Sequence, residues 1–367
     1  MGERGNRLYR GMDKWLGIPL TALSASLRLG RGKIPHTPRR IGLLCLGAIG
    51  DLLLFSGLPL ALRQRWPEVR LELLVTRGNA AAVPLVPAID DVAAFALRDI
   101  PGMIAHLRQK RYDVLFDSSQ WARLGTHICN FSGAGCTVGF ITHGQYRSLG
   151  YDVKVRHSNE RHEAANFLAL GQALWPELQG APAVRLPASP PQDALPFVRE
   201  RAVFLHMWPS GVKSWLRQWP AEHWASLARH LLDRGCTVFL TGSPADAAGN
   251  TAFLQRWFPG TAGIQSLAGC LGLPSLAWLL AQAHAVVSVN TGIMHLAALA
   301  GAPTIGLHGP TNPLRWGPVG RQTASLLPRE GKMAYLNLGF EYPPDACGLQ
   351  YLPVQDVLDT LADWGRI

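Results

Sequence analysis

The chain has 367 residues, a length that accommodates two domains with separate cores. Hydrophobic residues make up 48% of the sequence and charged residues 16%, a composition typical of a compact globular protein that excludes an intrinsically disordered one. The net charge is +10, and residues 1–40 hold nine basic and only two acidic side chains. This concentration argues against a broad nucleic-acid-binding surface and for a basic arm that meets an anionic partner.

Residues 1–40 are therefore interpreted as a basic amphipathic N-terminal arm. Within it, an apolar helical face carries Leu8, Met12, Trp15 and Leu16, and a basic face carries Arg7, Arg10 and Lys14. A helix of this kind can lie in a membrane interface or pack on protein, and the sequence leaves both open. We expect residues 1–35 to be the part that contacts the inner membrane, if any part does.

Three further features indicate the cellular compartment. No uninterrupted apolar segment approaches the roughly 18 residues of a membrane-spanning helix, and the start lacks the apolar core of a secretory signal. The six cysteines show no C-x-x-C pairing, which favours reduced thiols over disulfides or a zinc site. We expect a cytoplasmic protein that meets the inner membrane, if at all, as a peripheral one.

The segment 41–186 reads as a first α/β domain. The apolar run Ile41–Leu46 predicts a buried strand, and a turn from Gly47 to Gly50 and a helix through about Arg65 follow. The next strand should pair in parallel with the first, as in any βαβ unit. The remaining predicted elements are strands at Leu71–Val75, Val114–Phe116, Cys136–Phe140 and Lys154–Arg156, and a helix over Glu163–Trp175.

Four prolines predict a linker over residues 187–200, after which the α/β pattern restarts in residues 201–345. The predicted strands are Ala202–His206, Thr237–Thr241, Val286–Val289 and Thr304–Leu307, and the predicted helices include Glu222–Arg234 and Leu276–Ala283. Residues 346–367 contain a last helix, Val354–Trp364, with one apolar stripe. That stripe must pack on a surface already formed, for which the N-terminal domain is a candidate.

The turn after the first strand contains Gly47, Gly50 and Asp51. Its G-x-x-G spacing differs from the dinucleotide fingerprint G-x-G-x-x-G, so a nicotinamide enzyme is disfavoured. Asp51 is expected at the carboxyl end of a strand and the N-terminus of a helix. It is either a helix cap or a carboxylate that faces a ligand.

Two turns of the second domain carry groups suited to a nucleotide. Lys213 and Arg217 lie in a loop after the strand Ala202–His206, where cations could hold a diphosphate. Gly242 and Asp246 follow the next strand, and a carboxylate there could accept hydrogen bonds from a ribose.

A third turn carries the strongest anion signal. Asn290, Thr291 and Gly292 precede a helix whose first amides are unpaired, which is a ready site for a phosphate or diphosphate, and His295 lies one turn further. The alternative is that Asn290 and Thr291 merely cap the helix and that His295 is a surface residue. The turn that begins at Gly309 and includes Thr311 follows the neighbouring strand, where open α/β sheets bind ligands, and this favours the binding interpretation.

Four segments, in order over most of residues 41–320, resemble glycosyltransferase family 9, the heptosyltransferases that build the inner core of bacterial lipopolysaccharide. They are GAIGDLLLFSGLPLALRQRWPE, RYDVLFDSSQ, RQWPAEHWASLARHLLDRGCTVFLTGSPAD and VVSVNTGIMHLAALAGAPTIGLHGPTNPLRWGP. The resemblance implies an α/β protein of the GT-B fold, with two Rossmann-like domains whose parallel sheets face a central cleft. It assigns acceptor contacts mainly to the first domain and the nucleotide-sugar to the second.

The resemblance also implies roles for single residues. Asp51 resembles the family's catalytic base, and Arg217 stands where the family usually has a lysine before x-W-P. Arg217 and Lys213 are then expected to stabilise the departing diphosphate. No metal or other cofactor is implied, and the donor substrate is expected to be ADP-heptose.

The donor motif of the family, D-T-G-x-x-H, is matched at Thr291, Gly292 and His295, but its first position is Asn290 here. The amide keeps the size of the aspartate and loses its charge. The exchange suggests a different sugar or a reduced activity.

The leading hypothesis is an inverting glycosyltransferase that moves heptose or a related sugar from a nucleotide-sugar to a lipopolysaccharide-type or other cell-surface glycan. One alternative, motivated by Asn290 and Arg217, is a catalytically silent nucleotide-sugar-binding subunit. Another is a sugar-nucleotide epimerase, which would act on the donor without an acceptor. The expected partners are a nucleotide-sugar and a glycolipid or glycan acceptor, and no nucleic acid.

Overall fold

A computed structural model describes residues 15, 17–26, 32, 34–120, 122–142, 146–211, 214–330, 333 and 348–367 of the chain. The chain divides into two compact units, Met1–Ala183 and Val184–Ile367. Lys213 and the expected faces of the N-terminal arm, except Trp15, lie outside the described residues.

The first unit contains a six-stranded sheet in which every neighbouring pair is parallel. Its strands are Arg40–Cys45 (β1), Arg70–Thr76 (β2), Asp91–Phe95 (β3), Val114–Asp117 (β4), Cys136–Ile141 (β5) and Val153–Arg156 (β6). Their order is β3-β2-β1-β4-β5-β6. The apolar residues of β1 are almost completely buried, which explains why this strand has no polar alternation.

The second unit repeats this topology with a second parallel sheet. Its strands are Ala202–His206 (β7), Thr237–Thr241 (β8), Ile264–Ser266 (β9), Ala285–Val289 (β10), Thr304–Leu307 (β11) and Thr323–Leu326 (β12). Their order is β12-β11-β10-β7-β8-β9. In both sheets, strands are added first on one side of the first strand and then on its other side. The topological switch points therefore lie between β1 and β4 and between β7 and β10.

The helices connect these strands as the βαβ pattern requires. They are Gly17–Ser26 (α1), Ile49–Phe55 (α2), Gly57–Arg65 (α3), Ile100–Lys110 (α4), Leu124–Phe131 (α5), Glu163–Gln172 (α6), Ala221–Asp233 (α7), Ala247–Trp257 (α8), Leu273–Leu280 (α9), Gly292–Leu299 (α10), Pro313–Trp316 (α11) and Val354–Asp363 (α12). The predicted single helix through Arg65 is divided into α2 and α3, because Pro59 cannot donate to the carbonyl four residues earlier and its ring crowds that carbonyl.

All nine strands predicted from the sequence are present, and the predicted fold class, two Rossmann-like α/β domains with parallel sheets, is confirmed. The strands that the sequence did not reveal are β3, β9 and β12. Two of these, β3 and β12, are edge strands in which no residue is fully buried, and β9, at the other edge of the second sheet, has three residues. Edge strands give a weak pattern because neither face is continuously apolar.

The C-terminal helix packs differently from the candidate placement on the N-terminal domain. Val357 and Leu361 of α12 are fully buried in the hydrophobic core of the second unit, and the helix packs on α7 and β12. Trp219 strengthens this attachment, because its indole N–H donates to the carbonyl of Leu352 at 2.9 Å. The helix therefore completes the second unit.

Two further sequence expectations concern the cysteines and the membrane. The five described cysteines form no disulfide bond with one another, and all except Cys270 are buried. Across the described part of the chain, none of the helices has both the length and the apolarity to cross a bilayer.

A buried polar cluster fixes the carboxyl end of β4. Asp117 and Arg147 have no solvent-exposed surface, and their oxygen and nitrogen atoms are 3.0 Å apart. Tyr151 donates its hydroxyl proton to Asp117 at 2.6 Å, and Arg147 also donates to the carbonyl of Ser119. A β-carbon on Gly125 would lie 2.0 Å from an Asp117 oxygen, so the start of α5 packs directly on the carboxylate. The cluster joins β4, α5 and the segment after β5.

Burial and the neighbouring groups act in opposite directions on the pKa of Arg147. Burial alone lowers the pKa of its guanidinium, but Tyr151 and Asp117 outweigh burial, so the pKa lies above its ordinary value. Burial also raises the pKa of Tyr151 well above its ordinary value. The cluster therefore holds a charged Arg147 beside a neutral tyrosine.

Replacing Arg147 by methionine should destabilise the first unit strongly. Removing one partner of a buried ion pair leaves an uncompensated charge, and we expect the free energy of unfolding to fall by about 3–5 kcal/mol. Urea unfolding followed by circular dichroism measures this change. The matched control is Arg65→Gln, which breaks the Arg65–Glu177 pair, in which both side chains are more than half exposed, and should change stability little. Equal effects of the two substitutions would contradict this account.

Candidate functional site

The carboxyl ends of the central strands carry most of the residues that the sequence singled out. In the first unit, Asp51 follows β1, on one side of the switch point, and Asp117 ends β4 on the other side. In the second unit, Asn290 follows β10, and the segment after His206 follows β7. Because α/β sheets bind ligands at this edge and at these positions, each unit has its polar groups where the fold favours a site.

Asp51 lies in the first turn of α2 and is half-buried. Its Oδ2 accepts a hydrogen bond from the backbone N–H of Ala48 at 2.7 Å. A β-carbon on Gly47 would lie 2.7 Å from the same oxygen, so only glycine allows the carboxylate to fold back over the turn. The carboxylate is thus fixed in position at the end of β1.

Asn79 supports this turn and was not identified from the sequence. It is completely buried, and its side-chain nitrogen donates to the carbonyls of Cys45 and Gly47 at 3.1 and 3.0 Å. Its side-chain oxygen accepts from the backbone N–H of Thr76 at 3.0 Å. The asparagine therefore connects the ends of β1 and β2 and holds the backbone beneath Asp51.

The turn before α10 does not form the helix cap that was the alternative interpretation. Thr291 occupies the N-cap position with an extended backbone, but its side chain makes no capping hydrogen bond. Its hydroxyl oxygen is buried and has no hydrogen-bond partner within the described residues. A helix start that lacks this cap keeps N–H groups and a hydroxyl available to an anion.

Asn290 makes its contact elsewhere. Its side-chain nitrogen lies 3.3 Å from Nδ1 of His308, and the Thr311 hydroxyl lies 3.2 Å from the same ring nitrogen. The other ring nitrogen of His308 is 3.4 Å from the Ser325 hydroxyl. Burial lowers the pKa of His308 to about 3, so the ring is neutral. The contacts fit the tautomer that accepts at Nδ1 and donates from Nε2.

The other donor-site candidates of this region are also brought together. Gly292 is the first residue of α10, and His295, which the alternative interpretation placed on the surface, is 3% exposed. Gly309 follows His308 and packs against Leu349, since a β-carbon there would lie 3.3 Å from the leucine. Thr311 is buried beside them.

Arg217 is separated in the chain from this turn and lies in the loop after β7. It is half-buried and donates to the carbonyl of Ser210 across the turn at Gly211, whose φ is +98°. Beneath the loop, Trp219 and Trp224 are buried and pack edge to face with ring centroids 4.9 Å apart. These two tryptophans support the loop.

Asp246 has the same local geometry as Asp51. Its Oδ2 accepts from the backbone N–H of Ser243 at 2.7 Å, and a β-carbon on Gly242 would lie 2.8 Å from the Asp246 β-carbon. It also accepts from the Ser243 hydroxyl at 2.7 Å. The turn after β8 therefore repeats the glycine-to-aspartate turn after β1.

Comparison with known proteins identifies the family. The family model for glycosyltransferase family 9 (heptosyltransferase) matches residues 102–338. The chain belongs to this family. The part of the chain that matches includes most of the second unit and, in the first unit, the polar cluster at the end of β4.

Curated relatives and solved structures agree with this assignment. Lipopolysaccharide heptosyltransferase 2 of Escherichia coli (strain K12) is 26% identical over 291 residues, which cover 72% of this chain and 81% of that protein. Lipopolysaccharide heptosyltransferase 1 of the same strain is 34% identical over 188 residues, which cover 50% of this chain and 55% of that protein.

Among solved structures, E. coli ADP-heptose lps heptosyltransferase II has a TM-score of 0.69 and 21% identity, with 88% of this chain and 98% of that chain covered. E. coli heptosyltransferase WaaC with ADP has a TM-score of 0.69 and 23% identity, with 88% and 99% covered. These structures share the GT-B fold class of two parallel-sheet α/β domains. The family 9 chain is thus a glycosyltransferase.

His308 should make this family 9 enzyme less stable in acid. Its pKa is about 3 in the folded protein, against an ordinary value of 6.5, so below about pH 6.5 the unfolded chain binds a proton that the folded chain does not. The free energy of unfolding should fall as the pH drops from about 6.5 towards 3, by up to about 1.4 kcal/mol per pH unit for this group.

The measurement compares urea unfolding of the wild type and His308→Gln at about pH 7 and about pH 5. The variant should show the shallower dependence on pH. A smaller dependence should remain, because burial also lowers the pKa of His206 to about 4. Parallel curves for the two proteins would show that His308 is not the titrating group.

Proposed function

We propose that this family 9 glycosyltransferase is an inverting heptosyltransferase that transfers heptose from ADP-heptose to a lipopolysaccharide-type acceptor. The observation that carries the proposal is the start of α10, where Thr291 leaves the helix without a side-chain cap and keeps a buried hydroxyl available. Such a helix end suits a diphosphate. The names of the curated relatives supply the sugar and the acceptor class.

The donor would bind to the second unit. The N–H groups of Thr291 and Gly292 would receive the diphosphate, which the partial positive charge of the helix end attracts. The side-chain nitrogen of Asn290 is directed to His308. Its side-chain oxygen would accept a hydrogen bond from a sugar hydroxyl. Gly242 and Asp246 would contact the nucleoside of the donor. Gly309 and Thr311 would line the opposite side of the donor-binding site.

Asp51 would act as the general base of the first unit. It would take the proton of an acceptor hydroxyl while that oxygen attacks the anomeric carbon. The new bond joins the acceptor oxygen to the anomeric carbon, and the bond from that carbon to the diphosphate oxygen breaks with its electron pair leaving on ADP. Attack from the face opposite the leaving group inverts the configuration, and Gly47 and Gly50 give the acceptor access to the turn.

The departing ADP gains negative charge, which the second unit would neutralise. Arg217 and Lys213 would supply cationic side chains, and the start of α10 would supply oriented amides. We propose that this set performs the charge stabilisation without a metal ion or other cofactor.

The neutral residue at position 290 is the reason to keep a second candidate, a silent subunit that binds the nucleotide-sugar without reaction. The hydrogen bond between Asn290 and His308 favours an active enzyme, because it holds the amide in place as a fixed polar group.

The proposed acceptor class also suggests where the enzyme acts. We propose a cytoplasmic enzyme that is attached peripherally to the cytoplasmic side of the inner membrane.

The direct test supplies ADP-heptose with a purified, heptose-acceptor core glycolipid. Calorimetry should show donor binding, and the enzyme should release ADP in amounts equal to the heptosylated product identified by mass spectrometry. Binding without ADP release would support the silent subunit and contradict the proposed activity. Release of an altered sugar nucleotide without acceptor would indicate the epimerase instead.

Asp51→Asn should remove the base and preserve the turn, since asparagine can still accept from the Ala48 amide. We expect kcat to fall at least about 100-fold with little change in the unfolding midpoint. The matched variant is Asp246→Asn, which alters the same turn geometry in the second unit. It should raise KM for the donor and leave kcat within about threefold. Retained kcat in Asp51→Asn would remove Asp51 from its proposed role.

A further inference from the structure

The N-terminal helix α1 presents its apolar side to solvent. Its sequence, GIPLTALSAS, contains no charged residue, and its buried residues are Gly17, Thr21 and Ser24. Leu20 and Leu23 are 49% and 65% exposed. Surface helices normally bury their apolar side and expose a polar one, so this helix has the reverse arrangement.

The small and polar side of α1 is attached to the first unit. The Ser24 hydroxyl accepts a hydrogen bond from the side-chain nitrogen of Asn130 at 2.7 Å. A β-carbon on Gly17 would lie 2.8 Å from the side chain of Arg123, so the helix backbone packs closely on the start of α5. These contacts fix the rotation of the helix and keep Leu20 and Leu23 directed outward.

The charge around this helix indicates what the exposed leucines meet. In the sequence, Arg10 and Lys14 precede the helix, and Arg28, Arg31 and Lys33 follow it. Trp15, which is 75% exposed, lies two residues before the first residue of the helix in the sequence. Leucine and tryptophan enter the boundary between head groups and acyl chains, and basic residues are attracted to anionic head groups.

A second copy of the chain fits this surface less well, because pairing two such helices would bring their basic flanking segments together. We propose that the outer face of α1, formed by Leu20 and Leu23, docks the enzyme on an anionic phospholipid bilayer together with the preceding Trp15. This inference rests on the proposed function, since a membrane-embedded acceptor gives the docking its purpose. It places the apolar contact within residues 15–26, on a helix that is held by its polar side.

The test uses the full-length protein and sedimentation with vesicles. Vesicles of phosphatidylcholine with phosphatidylglycerol should bind the wild type more strongly than vesicles of phosphatidylcholine alone, and added salt should weaken the binding. The double variant Leu20→Glu/Leu23→Glu should bind at least about tenfold more weakly.

The matched control is Leu195→Glu/Val198→Glu, which adds the same two charges at apolar residues of the second unit that are 42% and 40% exposed. This control should bind vesicles like the wild type. Unfolding midpoints of both variants should stay close to the wild type, since all four side chains are substantially exposed. Should the glutamates unfold α1, Leu20→Ser/Leu23→Ser should give a smaller loss of the same sign.

Unchanged vesicle binding in the α1 variant, or an equal loss in the control, would overturn the proposal. A dimer in light scattering that the α1 variant dissociates, without vesicle binding by the wild type, would assign the face to a second copy and also overturn it. Activity on a short, lipid-free acceptor separates this proposal from the proposed function. Sugar transfer to this acceptor without vesicle binding would reject only the proposed membrane docking. Vesicle binding without sugar transfer would reject only the proposed transferase activity.

Discussion

The uncapped start of α10 is the feature on which the proposed binding of a diphosphate to the second unit depends. A side-chain cap typically contributes about 1 kcal/mol to a helix, and Thr291 is of a residue type that usually supplies it. Here the threonine hydroxyl is buried without making that bond. The second unit therefore keeps polar groups at the end of a central strand, where the proposed diphosphate would satisfy them, at a cost of about that size to the helix.

Asn290 and the neutral His308 form a hydrogen-bonded pair. This pair shows how the side chain at position 290 can lack the charge of the family's aspartate and still have a fixed orientation. A carboxylate at position 290 would face a buried ring whose pKa is about 3, and its negative charge would favour protonation of that ring. Asparagine instead donates to the neutral His308, which in turn contacts Thr311 and Ser325. The amide is thereby oriented by His308, whose ring is held in turn by Thr311 and Ser325. A neutral residue at position 290 therefore suits the neutral histidine at position 308.

The sequence predicted the central strands of both sheets, because buried parallel strands are continuously apolar. It also predicted that most of the candidate site residues lie in the turns directly after these strands. It did not predict the contacts that hold those residues. Asn290 and His308 are 18 residues apart, and Asp117 and Arg147 are 30 residues apart, so each pair is created by strand order and not by local spacing. Asn79 was missed for the same reason, since nothing in its own turn reveals that it supports the end of β1.

Asp51 and Asp246 show why local geometry alone does not assign a role. Both carboxylates accept from an N-cap amide at 2.7 Å, and both are crowded against a glycine four residues earlier. Strand order separates them, because Asp51 follows β1 at the switch point of its sheet, whereas Asp246 follows β8, one strand beyond the switch point of the other. Ligands of open α/β sheets bind beside the switch point. A reacting group is therefore better placed at Asp51, and a carboxylate at Asp246 is better placed for a more peripheral part of the donor, such as its nucleoside.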